Sequence, residues 1–383
     1  MGEVEMKVAI TGGYGFLGWH LACRLRAQHG LEPVRLGRAD FADSERLAAR
    51  LADVDVVYHV AGVNRADSDA EVEQGNVALA TALGQAIEGR PVDVVFANSV
   101  QAELDNAYGR GKAAAAGVLA DVVTASGGRF ADRLLPNLFG EHGLPQYNSF
   151  VATFAHEVAA GRTPTVTGDR DIPLLHVQDA ASALVEAVGG SDSLVVPGEP
   201  HGIGEVLEFL QRTHDLYATR GEIPALESKF AVNLFNTYRA AAFPGMWPLS
   251  PEVFADNRGD LFETVRAHGG TGQAFVSTTL PGQGRGEHYH LHKVERFFVI
   301  KGTAQIQLRR LLHDDVVTFT LSGDRPSFVD MPTLWVHNIR NVGDDELVTM
   351  FWADQLLDRD NPDQYPEMVA QPDNAQPENA QPE

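Results

Sequence analysis

The sequence predicts an α/β doubly wound parallel sheet followed by an all-β antiparallel barrel or jelly roll. Three observations carry that expectation. A short β-branched run ends in a glycine-rich turn that opens a helix. Strand-like and helical periods then alternate through the first half, and beyond about residue 250 short strand-like runs recur with glycine, proline or aspartate between them. A chain of 383 residues has room for two or three domains, each with its own core.

The first element is the run from Lys7 to Ile10, which leads through TGGYGFLG into the helical period of WHLACRLRAQ. In such a strand, turn and helix, Gly12 makes the tight turn, Gly15 permits close backbone approach to a pyrophosphate, and Gly18 lets helix and strand pack closely. The free amides at the helix start, Phe16 and Leu17, face the anion. This context points to a dinucleotide. The next strand, PVRLGR, carries Arg35 and Arg38 where an NAD-preferring site usually places an acid for the ribose 2′-hydroxyl. Arginine suits a 2′-phosphate, so NADPH is the expected cofactor, with Arg38 as the contact. A third strand, DVVYHV, runs into AGVNR, and a fourth, VDVVFANSV, ends at Ser99. Tyr108 and Lys112 follow at the i, i+4 spacing that puts both on one helix face. There an ammonium can depress the phenol pKa and hold the cofactor ribose, Tyr108 can protonate a carbonyl oxygen as hydride arrives, and Ser99 can hydrogen-bond the same oxygen.

Composition narrows the partners. A net charge of −22 argues against nucleic acid and anionic membranes, so an anionic ligand needs a local basic pocket. The single cysteine, Cys23, excludes an intramolecular disulfide and fits a reducing compartment. No stretch reads as a secretory signal or a bilayer span, and the expected location is cytoplasmic.

With these residues in view, the first half resembles the extended short-chain dehydrogenase/reductase family, whose fold is a Rossmann-like doubly wound sheet with a substrate-binding lobe. Ser99, Tyr108 and Lys112 match its catalytic positions and Asn76 its structural asparagine. PNLFG at residues 136–140 resembles the segment that flanks the nicotinamide and opens the substrate cleft, and HVQDAASALVEAV resembles a later strand-to-helix junction with Asp179 as N-cap. The resemblance implies cofactor contacts at Ala61, Lys112 and Pro136, and substrate contacts at Asn64, Arg65, Gln101 and Asn137. Members that dehydrate nucleotide sugars carry Thr-Asp-Glu where this chain has Ser99-Val100-Gln101. Lacking that acid/base pair, the chain is expected to perform plain carbonyl reduction.

Around residues 221–250 the text turns proline- and aromatic-rich without a sustained period, and it reads as an ordered connector. In the strand-rich region beyond, HYHLHKVE places His288 and His290 on one strand face, with Glu295 further along. If the next strand folds back, His337 completes an N/O site for zinc or another borderline transition metal. Gly282, His288, His290, Glu295 and Gly302 fit the first cupin motif at every position. The second motif is partly kept: Pro332, His337 and Asn341 fit, whereas Pro326 and Leu334 replace its glycines. A metal-free cupin that uses the histidines as acid/base groups is the rival reading of the same residues.

FADNRGDLFET further resembles cupin-type epimerases of nucleotide keto-sugars, with Arg258 as the arginine brought to the nucleotide. Taken together, AGVNR, SVQAELDNAYG, PNLFG, the Asn-Arg-Gly segment, HYHLHKVERF and HNIRN resemble, in this order, the CapF family of bifunctional capsular-polysaccharide enzymes. That resemblance implies a reductase domain at 1–245, a cupin epimerase domain at 246–368 and a disordered tail at 369–383. It implies a UDP-linked 4-keto-6-deoxy-N-acetylhexosamine as substrate, epimerised at C3 and reduced at C4 toward the L-talose configuration. It also implies a homodimer through the cupin. Lys293 is the expected base or enolate stabiliser, because a partly desolvated lysine titrates lower. Leu134-Leu135 replaces a larger polar and aromatic pair of the family, so the sugar or its acyl group can differ. Two other readings make the cupin a dimerisation or ligand-sensing module on a sugar reductase, or an iron dioxygenase.

Overall fold

The structure, a computed structural model, describes residues 6–370 apart from 167 and 258. Arg258 and the expected tail from residue 371 onward lie outside the described residues. The chain forms two compact units, Met1–Thr153 with Val166–Val206, and Phe154–Thr165 with Leu207–Glu383. Among the described residues no helix is long and apolar enough to cross a membrane.

In the first unit the strands Val34–Leu36, Val8–Thr11, Val56–His59, Asp93–Ser99, Phe130–Leu135 and Ser193–Val195 lie side by side in that order, all parallel. Their runs are almost wholly buried, as expected when both faces of a parallel sheet are covered. Leu47, Leu51, Leu83, Ile87, Leu119 and Val123 from the helices Ser44–Leu51, Asp69–Ile87 and Ala107–Ala125 pack on Val57, Val94 and Phe96 of the sheet. Asp43, Ser68 and Asn106 cap these helices by accepting first-turn amides. The first strand has its successor on one side and the third strand on the other. This is the topological switch point, and the crevice beyond its strand ends is where such sheets bind ligands. A smaller sheet joins Asn137–Phe139, Asp171–His176 and Glu199–Gly202.

The second unit holds two antiparallel sheets. One orders Gln273–Thr279, Leu347–Ala353, Glu295–Lys301 and Ser327–Met331, and the other Val316–Ser322, Thr303–Arg310, Trp335–Asn341, Gly284–Tyr289 and Tyr365–Pro366. Phe297 of the first meets His337 of the second with ring centroids 5.5 Å apart, so the two sheets share an interior. Residues 207–245, expected with the reductase domain, belong to this unit. The physical reason is the helix Lys229–Ala242, whose Asn236 donates to the His292 carbonyl at 2.8 Å and whose Arg239 donates to the Met331 carbonyl. Beside it Arg296 forks onto Asp330 at 2.7 and 3.0 Å, and Tyr217 donates to the same carboxylate at 2.7 Å. Val369, expected to begin the tail, is buried, and its carbonyl accepts from Arg309 at 2.8 Å.

Candidate functional site

The first site grows from the glycine turn. Gly12 has φ +65, which favours glycine, and a Cβ there would lie 3.0 Å from the Ala61 backbone. A Cβ on Gly18 would lie 2.2 Å from the Gly12 carbonyl oxygen, so helix and turn are in contact with no room for a side chain. Gly15 precedes the helix Phe16–His29 without a side-chain cap, and no acid sits in the first turn. Those amides are left for an anion, unlike the side-chain-capped helices above. Thr11 Oγ1 accepts from the Val60 and Ala61 amides at 3.1 Å and bonds His59 Nδ1 at 2.8 Å, tying the two strands of the switch point together. These features fit a dinucleotide. Arg35 lies over the Tyr14 ring at 4.7 Å, whereas Arg38 is exposed at the start of a short helix. The nearby acid, Asp40, is buried and accepts from Gly37 N, Arg46 and Arg50, which leaves arginines as the outward-facing groups.

Ser99 ends its strand and Tyr108 opens the helix Ala107–Ala125, where Ser99 hydrogen-bonds the phenol. Close packing explains the glycines around them: a Cβ at Gly109 would meet the Gln101 carbonyl oxygen at 2.1 Å, and one at Gly111 the Glu73 Cα at 2.9 Å. The expected depression of the Tyr108 pKa is reversed. Burial raises it, the Ser99 bond opposes this, and Tyr147 adds to the rise. The Lys112 amine instead donates to the Ala97 carbonyl at 2.7 Å and lies 4.0 Å from the Phe96 ring centroid. Burial pushes that amine down to about 7, with Asp132 opposing. Asn76 accepts from Val63 N at 3.1 Å and donates to Val63 O at 2.8 Å, which holds the segment bearing Ala61, Asn64 and Arg65. Arg65 donates to the Gln146 carbonyl at 3.0 Å; Asn64, Gln101 and Asn137 are exposed, and Pro136 is half-buried.

Sequence reasoning passed over a buried network behind the PNLFG segment. Glu141 and His176 pair at 3.0 Å with both side chains enclosed. His20 bonds the Glu141 carbonyl at 2.8 Å, and Gln178 bonds His20 Nδ1 at 2.9 Å. Burial opposes charge on Glu141, yet His176 outweighs it and holds the carboxyl below the usual range. The signal was an acid just past the short strand Asn137–Phe139, where a buried carboxylate needs a partner.

In the second unit His288, His290, Glu295 and His337 converge, with one ligand atom from each lying within 4.8 Å of the others. Two sheets supply them. A bulge at Glu287, φ +62, brings His288 into register opposite His337, while Glu295 opens a strand of the other sheet. His290 Nε2 lies 3.1 Å from Glu295 Oε2, and His337 Nε2 lies 3.3 Å from the same oxygen. On the far side of each ring, His290 Nδ1 bonds the Asp363 carbonyl and His337 Nδ1 the Trp335 carbonyl at 3.0 Å. Those carbonyls claim the ring protons and leave Nε2 lone pairs facing a carboxylate, an arrangement that a shared proton or a cation satisfies. His288 Nδ1 and His337 Nε2 are buried without a hydrogen-bond partner. Burial, then His337 and His290, push His288 down to about 3, so its imidazole stays neutral as a ligand must. Three histidines and a carboxylate thus fit a divalent transition metal, zinc among them. Lys293 is buried, and its amine donates to the Pro362 carbonyl at 2.7 Å. Leu334, where the cupin motif has glycine, takes φ +63 and keeps that left-handed conformation with a buried side chain and a 2.8 Å bond from its amide to the His290 carbonyl.

Two family models match the chain: "NAD dependent epimerase/dehydratase family" over residues 8–198 and "Polysaccharide biosynthesis C-terminal domain" over residues 254–365. The chain is 32% identical over 373 residues to a UDP-2-acetamido-2,6-beta-L-arabino-hexul-4-ose reductase of Pseudomonas aeruginosa, covering 96% of this chain and 100% of that one. The crystal structure of the capsular polysaccharide assembling protein CapF from Staphylococcus aureus matches with TM-score 0.60 and 28% identity, over 95% of this chain and 100% of that one. The chain belongs to the CapF family. Within this CapF-family chain the first model spans the glycine turn and the Ser99, Tyr108 and Lys112 group, and the second spans all four residues of the His/Glu cluster. A UDP-N-acetylglucosamine 4-epimerase from Bacillus cereus, 18% identical with TM-score 0.52 over 61% of this chain, shares the fold.

Proposed function

We propose that the chain is a bifunctional nucleotide-sugar enzyme. Its C-terminal unit epimerises C3 of a UDP-4-keto-6-deoxy-N-acetylhexosamine, and its N-terminal unit reduces C4, giving a UDP-2-acetamido-2,6-dideoxy-L-talose-type product. The observation that carries this reading is the presence, in one CapF-family chain, of a glycine turn that fits a dinucleotide, a buried tyrosine beside Ser99, and a separate buried His/Glu cluster. When bound, NADPH supplies the hydride, and a zinc ion held by His288, His290, Glu295 and His337 supplies positive charge within the C-terminal unit.

The protein's own residues do the rest. Tyr108, which burial keeps protonated, gives its proton to the C4 oxygen, and Ser99 steadies the same oxygen through its hydroxyl. Lys112, its amine anchored on the Ala97 carbonyl, serves the cofactor ribose. Gly12, Gly15, Gly18, Phe16, Leu17, Ala61 and Pro136 bind the dinucleotide, and Arg38, joined by Arg35, reads the 2′-phosphate. Asn64, Arg65, Gln101 and Asn137 contact the sugar nucleotide. A 4-keto group acidifies the hydrogen on C3; Lys293, whose buried amine lies next to His290 and Glu295 in sequence, is the proposed base that takes this proton, and a solvent-derived proton returned to the opposite face of C3 inverts the centre. The exposed Phe275 and Val276 on the edge strand Gln273–Thr279 support a homodimer through this unit. The test is incubation with the UDP-4-keto sugar in deuterium oxide, with and without NADPH. Deuterium at C3 without NADPH, retained in Tyr108→Phe, is the expected result; an unlabelled product rejects the division of labour.

A further inference from the structure

Residues 362–369, which include the edge strand Tyr365–Pro366 of the five-stranded sheet, touch every residue from 290 to 293. The Asp363 carboxylate accepts the amides of Leu291, His292 and Lys293 at 3.0, 2.9 and 2.8 Å. The Asp363 carbonyl bonds His290 Nδ1, and the Pro362 carbonyl takes the Lys293 amine at 2.7 Å. Further along, the segment is fastened down. Arg309 donates to the Val369 and Met368 carbonyls at 2.8 Å and to the Glu367 carboxylate at 3.0 Å, and Glu287 accepts the Val369 amide at 2.7 Å. Tyr365 stacks on Tyr289, which lies between two of the histidines in sequence, with centroids 5.5 Å apart.

We infer that this segment is a strap that sets the metal ligands, and that Asp363 is its positioning residue. The inference rests on the metal-binding reading of the His/Glu cluster. Three amides converging on one carboxylate fix the backbone path from His290 toward Glu295, and the carbonyl of the same residue fixes which ring nitrogen of His290 is bare. Asp363 itself has φ +45, a left-handed conformation that Asp and Asn tolerate best among residues with a side chain. Asp363→Asn therefore preserves the backbone path while replacing one acceptor oxygen by an amide donor that opposes the loop N–H groups.

The experiment is chelator competition for Zn²⁺ and Co²⁺ on the full chain, parent beside Asp363→Asn. Affinity is expected to fall about ten- to a hundredfold, the range for loss of a partner that orients a ligand. The d–d bands of the remaining cobalt complex should shift, which loss of fold stability alone does not produce. Metal affinity within twofold of the parent overturns the inference. A parent that takes up no metal overturns the metal reading and this inference with it, so the two failures are distinguishable. Should the variant not fold, long-range ¹H–¹⁵N spectra of the metal-free parent decide: His290 protonated on Nδ1 supports the strap, and protonation on Nε2 overturns it.

Discussion

Gly18→Ala and Gly117→Ala make the same chemical change in two helices of one unit, and the structure assigns them opposite outcomes. At Gly117, in the interior of Ala107–Ala125, an added Cβ meets nothing within 4 Å. The variant gains the helix preference of alanine over glycine, about 0.5–1 kcal/mol. At Gly18 the same Cβ lies 2.2 Å from the Gly12 oxygen and 2.8 Å from the Gly13 Cα, all backbone. An ordinary carbon-to-oxygen contact is about 3.3–3.6 Å, so helix and turn must part by about 1 Å. Overpacking of that kind costs about 1–3 kcal/mol and outweighs the helix gain. The parting also withdraws first-turn amides from the pyrophosphate. Loss of one charge-assisted hydrogen bond, about 1.5–3 kcal/mol, corresponds to about ten- to a hundredfold weaker NADPH binding. Thermal melts and NADPH fluorescence titrations of the two variants beside the parent measure both effects. A Gly18→Ala protein that binds NADPH as tightly as the parent refutes the reasoning, because the turn would then tolerate the displacement.

Three further outcomes follow from the same structure. Tyr108→Phe should lower kcat for ketone reduction about 10²–10⁴-fold in steady-state assays while NADPH still binds, and a loss below tenfold removes Tyr108 as the proton donor. In metal-free protein, burial pushes His59 and His288 to about 3, below their ordinary 6.5, so the unfolded chain binds more protons between these values. Their contribution to stability is full above pH 6.5 and falls as pH drops through that window, by about 1.4 kcal/mol per pH unit for each histidine. Asp132 and Asp354, raised by burial, partly oppose this at the acid end. Urea midpoints that stay flat from pH 6.5 to 4.5 contradict it. Arg296→Leu should destabilise the second unit by about 3–5 kcal/mol in denaturant titrations, since it strands the buried Asp330 carboxylate without its cation; a change under 1 kcal/mol is the contrary result.

Much of the fold was legible because each signal is local. The strand, glycine turn and helix at residues 8–29 and the alternating pattern of Thr303–Arg310 follow from neighbours a few positions apart. The four-residue cluster was legible for the same reason on the His288 side, whereas His337 comes not from the next strand, Glu295–Lys301, which lies in the other sheet, but from Trp335–Asn341 much further along the chain. What was hidden depends on partners far away in sequence. The helix Lys229–Ala242 gives no sign in its own residues that it belongs with strands of the second unit, since Arg239 and Asn236 read as ordinary surface groups until Met331 and His292 appear beside them. Asp363 and Glu141 likewise have partners, the Lys293 amide and His176, that lie far off in sequence. The direction of the Tyr108 shift was misjudged because burial cannot be read from an i, i+4 spacing, and the neighbouring amine is committed to the Ala97 carbonyl.

The way the His/Glu cluster is assembled has a kinetic consequence. Glu295 stands in one sheet and His337 in the other, and the strand Gln273–Thr279 finds its partner only at Leu347–Ala353. Long-range antiparallel pairings of this kind close late in folding, because the loop-closure entropy is met before the contacts form. The four ligand atoms therefore come together only when both sheets have docked, and an ion that takes them discriminates the finished unit from every earlier species. At a thousandfold excess over its Kd such an ion stabilises the docked state by about 4.1 kcal/mol through mass action alone. Metal supply during refolding should accordingly slow unfolding of the second unit more than it speeds the approach to the native state.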